Sequence, residues 1–391
     1  MLLLASLVAG PAAAQQSSPD ADEPPPYSVL GKLGLDVESP DGNHALHVWF
    51  RTQLRFSTPF NADPRTPDEF EAPSRTSFDV QRIRIKLEGH AYRPWLKYAF
   101  EYDFKSDLLD IQLTLARYRS FQLRVGQWKA NYNRERVDSS GKQQLVDRSI
   151  VNREFTVDRQ PGVMVFGHLF EGSLGDSWYY VGAFSGNGAN ASNDDARLMW
   201  LARYQWNFLG RDLPFSQSDV EYHEKPAGSL ALAAVDNRSP YTRFSTQGGG
   251  QLDGFETGGP GRYDLRQYLQ EFAFKYRGFS FQQEWHAKEI DDNDTGAVTK
   301  LRGAYAAAGF LPWAAWKAFP RPLEFALRWA FVDPDRSVSD DDRTEWTFGA
   351  NWFFSGHDNK LTADVSWLAL EQPGAPTLRD TRFRFQWDVS F

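Results

Sequence analysis

Basic side chains recur two or four positions apart along several stretches of this chain: Arg51 with Arg55, Arg82 with Arg84 and Lys86, Arg382 with Arg384. A two-residue period places such residues on one face of a β-strand. The same phase gathers Lys97, Arg124, Arg197, Arg203, Lys275, Lys288, Arg302, Arg328 and Lys360, with Glu88, Glu101, Asp103, Asp110, Glu271, Glu284, Glu324, Glu345, Asp364 and Asp388 among them. Basic residues outnumber acids on this face. Arginine stays charged at any working pH and offers a planar fork to phosphate or carboxylate, whereas lysine acts as a compact point charge. Enclosed in a narrow passage of low dielectric, rows of both would concentrate anions and oppose cations, provided binding stays weak enough for release. The competing expectation is that they pair with the wall acids and only solvate the interior. A long polar segment, 127–160, carries a second set: Lys129, Arg134, Arg136, Lys142, Arg148, Arg153 and Arg159 against Glu135, Asp138, Asp147, Glu154 and Asp158. Lys129, Arg148 and Arg153 are expected to face a permeant ion, with Arg159 in the same constriction.

These residues need strands to position them, and alternation runs from Leu46 to the last residue. Leu46, Val48, Phe50, Leu54 and Phe56 oppose His47, Arg51, Gln53 and Arg55; Phe383, Phe385, Trp387, Val389 and Phe391 oppose Arg382, Arg384, Gln386, Asp388 and Ser390. Over the seven clearest strands the oily face has roughly 38 positions, of which about nine should be charged by chance, and none is. The pattern predicts about sixteen strands, near 46–58, 77–90, 93–105, 108–118, 120–128, 161–171, 177–186, 196–208, 228–236, 266–277, 279–289, 299–310, 322–333, 343–355, 359–369 and 380–391. Connections around 57–76, 129–160, 187–195, 237–265, 290–298, 334–342 and 370–379 are long and polar; those at 92–94, 119, 278 and 356–358 are tight, and 209–227 and 311–322 are longer than that alternation allows. Long loops at one end and mostly short turns at the other are what an outer-membrane barrel has, the long ones extracellular and the short ones periplasmic. Phe78 and Val80 fall out of phase with Ile83, Ile85 and Leu87, which predicts a bulge. Segments 163–170, 178–184, 228–235 and 303–310 are apolar or small on both faces and are expected to pack against an inward loop or a neighbouring subunit.

Composition agrees with that architecture. The 391 residues hold 43 Lys and Arg against 51 Asp and Glu, a net charge of −8, so the average surface is no nucleic-acid platform. Mean hydropathy is −0.55, and no apolar run approaches the ~20 residues of a membrane helix; barrel strands hide their hydrophobicity in alternation. There are no cysteines, which removes disulfides, thiolate metal sites and thiol nucleophiles, and 30 Phe, 15 Tyr and 14 Trp suit membrane girdles or sugar-binding faces. MLLLASLVAGPAAAQQ, with Ala12 and Ala14 ahead of Gln15, reads as a signal peptide at 1–14. A flexible leader and periplasmic lead-in is expected over 15–43, and the barrel over 44–391.

The strings GLDVESPDGNHALHVWFRTQLRF, RVGQWK, DRQPGVMVFG, WYYVGAFSGNG, LRGAYAAAGFLP, LEFALRWAFVDPD, FGANWFFSGHDNKL and RFRFQWDVSF resemble, in order and spacing from about Gly34 to Phe391, the phosphate-selective porin O and P family. The resemblance implies a sixteen-stranded barrel in the outer membrane of a Gram-negative bacterium, usually a homotrimer, with the third loop folded into the pore and lining an anion path with Arg and Lys. It implies phosphate or polyphosphate as the favoured solute. Lys129 follows the matching GQW segment; the family's other phosphate-coordinating lysines have no evident counterpart. A chain ending in Phe391 is expected to meet outer-membrane lipid and, through its C-terminal strand, the barrel-assembly machinery.

Other chemistry is weaker. Asp291, Asp292, Asn293, Asp294 and Gly296 echo a calcium loop, but twelve-residue registration places Arg302 where a bidentate Glu belongs. That loop, like Asp340–Asp342, is expected to be a solvated acidic loop. Gly141-Lys142 lacks the earlier glycine of a P-loop, Arg136 standing in its place, and no metal-spaced set appears among the seven His. No cofactor or metal is called for. His286 beside Glu284 could form an acid–base pair, though a hydrated interior histidine fits as well. The leading expectation is a passive anion channel without catalysis. The alternatives are a general or sugar-oriented porin using Trp49 and Trp95, and, more remotely, a secreted carbohydrate-binding or glycoside-cleaving protein using Glu271 and Glu284.

Overall fold

Alternating sequence becomes strand almost wherever it occurs. The structure is a computed structural model and describes residues 33–244 and 248–391; the expected signal peptide and residues 15–32 of the leader lie outside the described residues. Its strands are β1 (Leu35–Glu38), β2 (Ala45–Thr58), β3 (Ser77–Ala91), β4 (Arg93–Asp103), β5 (Leu108–Tyr118), β6 (Phe121–Lys129), β7 (Arg159–Leu169), β8 (Ser177–Phe184), β9 (Met199–Trp206), β10 (Ala227–Ser239), β11 (Tyr263–Tyr276), β12 (Phe279–Asp292), β13 (Val298–Phe310), β14 (Leu323–Asp333), β15 (Arg343–Ser355), β16 (Asn359–Gln372) and β17 (Ala375–Ser390). Among the described residues three short α-helices sit in loops: α1 (Pro67–Glu71), α2 (Arg134–Val137) and α3 (Val151–Phe155). No helix among the described residues is long and apolar enough to cross a membrane.

Each strand from β2 to β17 pairs antiparallel with the next, and β17 returns to β2 in the register Phe383↔Thr58 to Ser390↔Arg51, so sixteen strands close a barrel. Closure leaves no open sheet edge. Phe391 completes the seam: its N–H donates to the Phe50 carbonyl at 3.0 Å, its carbonyl accepts from the Phe50 N–H at 2.8 Å, and the two rings stack. Where β17 stops, β1 continues along β2 with Leu35↔Val48 to Glu38↔Ala45. Four residues of the expected lead-in are therefore strand, a pairing too short to show as alternation.

Burial alternates with the pleat and in the direction opposite to a water-soluble protein. Inward positions such as Gln53, Glu271, Thr347 and Ser366 are completely buried, while Leu54, Trp346, Phe348, Phe385 and Trp387 are exposed on the outside. No second layer among the described residues covers those rings. Leu327, outward on β14 between Ala308 and Phe348, is 45% exposed. Leu327→Arg is expected to destabilise the barrel by about 2–4 kcal/mol if this face meets hydrocarbon, read from the urea midpoint of folding into lipid vesicles; a change within about 0.5 kcal/mol, the size of an ordinary water-exposed substitution, would contradict that environment.

Local irregularities fall where the pattern breaks. Gln53 pairs Arg82 and Leu54 pairs Val80, leaving Gln81 as the extra residue of a bulge that carries Val80 and Ile83 to the same face. Arg277 and Gly278 make a two-residue hairpin with φ 47° and 79°, the left-handed pair that matches strand twist and that glycine adopts without strain. The connection expected over 370–379 is instead a tight hairpin, because β16 and β17 stay paired as far as Gln372↔Ala375. At the same end lie the long connections 59–76, 130–158, 185–198 and 240–262. The two-faced apolar segments are explained by an inward loop. Ile150, Val151 and Phe155 pack against Leu265, Ile290, Leu301, Tyr305 and Val332, and Tyr132 and Val157 join Met164, Phe166, Tyr180 and Phe184.

Candidate functional site

The interior is divided by residues 130–158, which cross it and dock on one half of the wall. Glu271 accepts the Arg134 backbone N–H at 3.1 Å and its Nε at 2.9 Å, and also takes both terminal nitrogens of Arg203 at 2.8 and 2.9 Å. Glu284 accepts the Glu135 N–H at 2.7 Å, Glu345 the Ile150 N–H at 3.0 Å and Asp364 the Val146 N–H at 3.0 Å. Gln144 Nε2 donates to Glu324 at 2.9 Å. Carboxylates on β11, β12, β14, β15 and β16 thus satisfy loop donors that water can no longer reach. The connection 207–226 enters from the opposite end: Pro214 accepts from Arg134, and Phe215 lies under the guanidinium carbons of Arg134 and Arg203 at 5.0 and 5.5 Å. Its length was the one sequence signal that it does more than turn the chain.

Docking sorts the expected basic residues into two groups. Arg203, Lys275, Lys288, Arg328, Lys360, Arg382 and Arg384 are at most 3% exposed. Arg328 pairs with Glu345, Arg384 with Asp364, Arg382 with Asp63, Lys275 donates to Ser216 Oγ and the Ser218 carbonyl, and Lys288 and Lys360 donate to loop carbonyls. These hold loops and do not border open space, which corrects the expectation that each would line a pore. Glu271 and Glu284 are likewise sealed, so the carboxylate pair of the glycosidase alternative has no access to a sugar. His286 is buried with Nε2 3.0 Å from Glu284, and Phe155 stacks on its ring; it is not a hydrated interior histidine.

The wall formed by β2–β6 stays open. A cavity of about 400 Å³ there is bordered by Trp49, Arg51, Arg84, Lys86, Arg124, Lys129 and Lys142, with Glu88, Glu101, Asp110 and Asp358. A second, of about 790 Å³, lies on the long-loop side, bordered by Arg65, Arg75, Arg148, Arg153 and Arg243 with Asp63, Glu69, Asp79 and Asp147. Between them the loop touches the wall: Arg51 Nη1 donates to Ser139 Oγ at 2.6 Å, Gln53 Nε2 to the Ser140 carbonyl at 3.2 Å, and Arg55 Nη2 to the Val146 carbonyl at 3.1 Å. A Cβ at Gly141 would stand 2.3 Å from the Arg51 guanidinium, so a larger residue at this neck would push the end of the Arg51 side chain aside.

Ion pairing further separates the residues. Arg84 is held by Glu101 and Asp103, Lys86 by Glu88, Arg55 by Asp147, and Arg159 by Asp110 at 2.6 Å while only 3% exposed. Arg159 is therefore a strut. Arg51, Arg82, Arg124 and Lys129 form no ion pair among the described residues: their partners are Ser390 and Ser139, Gln53, Thr114, and the Asp138 carbonyl. Arg148 spends Nε and Nη2 on the carbonyls of Glu135 and Asp138 at 2.8 Å, and Arg153 reaches Asp253 at 3.4 Å; both border the upper cavity. Lys97 is exposed on the inward phase of β4, outside both cavities. Lys142, named with the basic residues of 127–160 but not among those expected to face the ion, is exposed in the loop and borders the lower cavity. Two expectations fail on position. Arg302 occupies the outward phase of β13, where its side chain is 47% exposed beside Asp333; the small residues of β13 left its phase undecided. Arg197 lies in the 185–198 connection and is exposed.

Glu135 gives the docked loop a pH dependence. It accepts from Ser149 N–H and Oγ at 2.7 and 2.9 Å, with Arg328 at 3.9 Å, the Glu284 carboxylate nearby and His286 bonded to Glu284. Burial first, with Glu284 adding to it and Arg328 opposing, pushes its carboxyl up to about 7. The folded chain therefore holds a proton that the unfolded chain releases near the ordinary glutamate value, and stability falls as pH rises through that window up to about 7. Raising pH from 5 to 8 is expected to lower the thermal midpoint, and Glu135→Gln to flatten that slope; an equal slope in the variant would contradict it.

The sequence profile of the phosphate-selective porin O and P family matches residues 50–377. The chain belongs to that family. It is an outer-membrane porin, and family and fold together point to a passive channel rather than an enzyme. The same barrel recurs in the anion-selective porin of Comamonas acidovorans (TM-score 0.57, 10% identity, 89% of this chain and 100% of that one covered). It recurs in the channel DcaP of Acinetobacter baumannii (TM-score 0.55, 12% identity, 92% and 100% covered) and in the trimer form of OmpT of Vibrio cholerae (TM-score 0.52, 11% identity, 88% and 99% covered). No protein of curated function is matched at the sequence level.

Proposed function

We propose that this porin conducts small anions passively along the β2–β6 wall, with phosphate or polyphosphate as favoured solutes, and that it works as a homotrimer. The observation that carries the reading is the row of Arg51, Arg82, Arg124 and Lys129, cations on the open wall that hydrogen-bond to neutral groups and form no ion pair among the described residues. A charge balanced only by neutral oxygens in a narrow passage remains available to a mobile anion. Lys129, Lys142 and Arg124 border the lower cavity, Arg148 and Arg153 the upper one, and a permeant anion would pass from one group to the other at the Arg51–Gly141 neck. Family membership supports phosphate, the Comamonas porin supports anion preference, and the Vibrio porin supports the trimer. Insertion is proposed to proceed through the barrel-assembly machinery reading β17 and Phe391.

The sugar-oriented alternative loses ground at Trp49, whose ring is approached by the Arg51 guanidinium at 5.0 Å and by Lys86 Nζ at 5.7 Å. A cation over the ring occupies the surface a pyranose would need. Reversal potentials in planar bilayers under a potassium chloride gradient test the proposal, with phosphate and then maltose titrated in. A chloride preference and block by phosphate are expected; cation preference, or block by maltose alone, would overturn it.

A further inference from the structure

Outside the channel, the connection between β14 and β15 brings Asp333, Asp341 and Asp342 together so that one carboxylate oxygen of each lies within 4.8 Å of the others. Oxygens bound to one calcium ion lie 2.3–2.6 Å from it, so two on the same coordination sphere are at most about 5 Å apart. The spacing here fits that sphere. Three like charges this close repel unless something balances them.

The independent observation is Asp333 itself. It is 4% exposed, sealed under the loop on the outward phase of its strand. Oδ2 accepts from Arg302 Nε at 2.8 Å, but Oδ1, cut off from solvent, has no hydrogen-bond donor among the described residues. A buried carboxylate oxygen left without a partner is costly, and native structures rarely keep one without a bound ion or water. Arg302 supplies one positive charge against three negative ones. Asp341 and Asp342 remain partly open to solvent, which leaves an entry path and room for water ligands. The loop is also pinned in place, since the Asp342 carbonyl accepts the Glu371 N–H at 2.9 Å.

We propose that Asp333, Asp341 and Asp342 bind one calcium ion at the rim of the barrel, tying the β14–β15 connection to the wall. This replaces the solvated acidic loop expected from Asp340–Asp342, and it stands independently of which solute the channel passes. An open loop site of this kind belongs in the weak class of calcium sites, with a dissociation constant on the order of 10⁻⁴–10⁻³ M.

The test is calorimetric titration of calcium into the full-length, detergent-solubilised porin after chelator treatment. The parent is expected to take up calcium in that range, and D341N/D342N, two changes in a partly exposed loop that leave every ladder intact, to bind one equivalent fewer or at least tenfold more weakly. D294N, in the neighbouring 293–297 connection, is expected to bind as the parent does. Circular dichroism confirms that each variant retains its strands. Parent protein that takes up no calcium, or a D341N/D342N variant that matches the parent, would overturn the proposal.

Discussion

The triple variant R82Q/R124Q/K129Q is expected to lose most of its preference for chloride over potassium while retaining its conductance. These side chains sit on β3 and β6, on the wall the loop leaves open; their hydrogen bonds go to Gln53, Thr114 and a main-chain carbonyl, and none forms an ion pair among the described residues. A full charge ~5 Å from a passing ion is worth about 0.8 kcal/mol even at the dielectric of bulk water. Removing three therefore exceeds the ~1.4 kcal/mol that changes an equilibrium tenfold, and the permeability ratio should fall at least that far. Arg302→Gln, on the outer surface, should leave the ratio untouched. Reversal potentials read both. A triple variant as selective as the parent would contradict the assignment, and equal losses in both variants would attribute selectivity to overall charge instead.

Glu271→Ala is expected to release the loop. Glu271 is completely buried and is the shared acceptor of Arg134, on the loop, and Arg203, on β9. Deleting the anion strands two buried guanidinium groups, and breaking a buried pair from one side costs about 3–5 kcal/mol. The barrel ladders through β10, β11 and β12 do not depend on that side chain, so the cost falls on docking of 130–158. Single-channel recordings should show larger and noisier conductance; Glu271→Gln, which keeps an acceptor oxygen, should fall between parent and alanine variant. Conductance and noise unchanged in the alanine variant would contradict the role given to this triad.

The strands were legible in the sequence because each carries its own evidence: a lipid-facing side chain and a lumen-facing one alternate within a few residues. The bulge between Val80 and Ile83 and the final strand could be seen for the same reason. Which half of the wall stays open could not, since it depends on partners far apart in the chain, such as Arg134 with Glu271 or Val146 with Asp364. Alternation tells Arg84 and Arg384 alike that they face inward; only the loop's position makes the second a buried strut. Arg302 shows the limit within one strand, because Gly303 and Ala306 to Ala308 are small on both faces and leave the phase undetermined. The helical turns inside 130–158 are shorter than any periodic signal, and the entry of 207–226 showed only as excess length.

The absence of cysteine from the sequence makes accessibility measurable one position at a time. Gln112→Cys places a thiol in the lower cavity on β5, and Thr347→Cys places one on the wall beneath the loop. A negatively charged, membrane-impermeant thiol reagent added during bilayer recording should modify Gln112→Cys within the experiment and reduce its anion current, while Thr347→Cys should not react. Rapid reaction at Thr347→Cys with none at Gln112→Cys would place the aqueous path on the opposite wall and contradict the account.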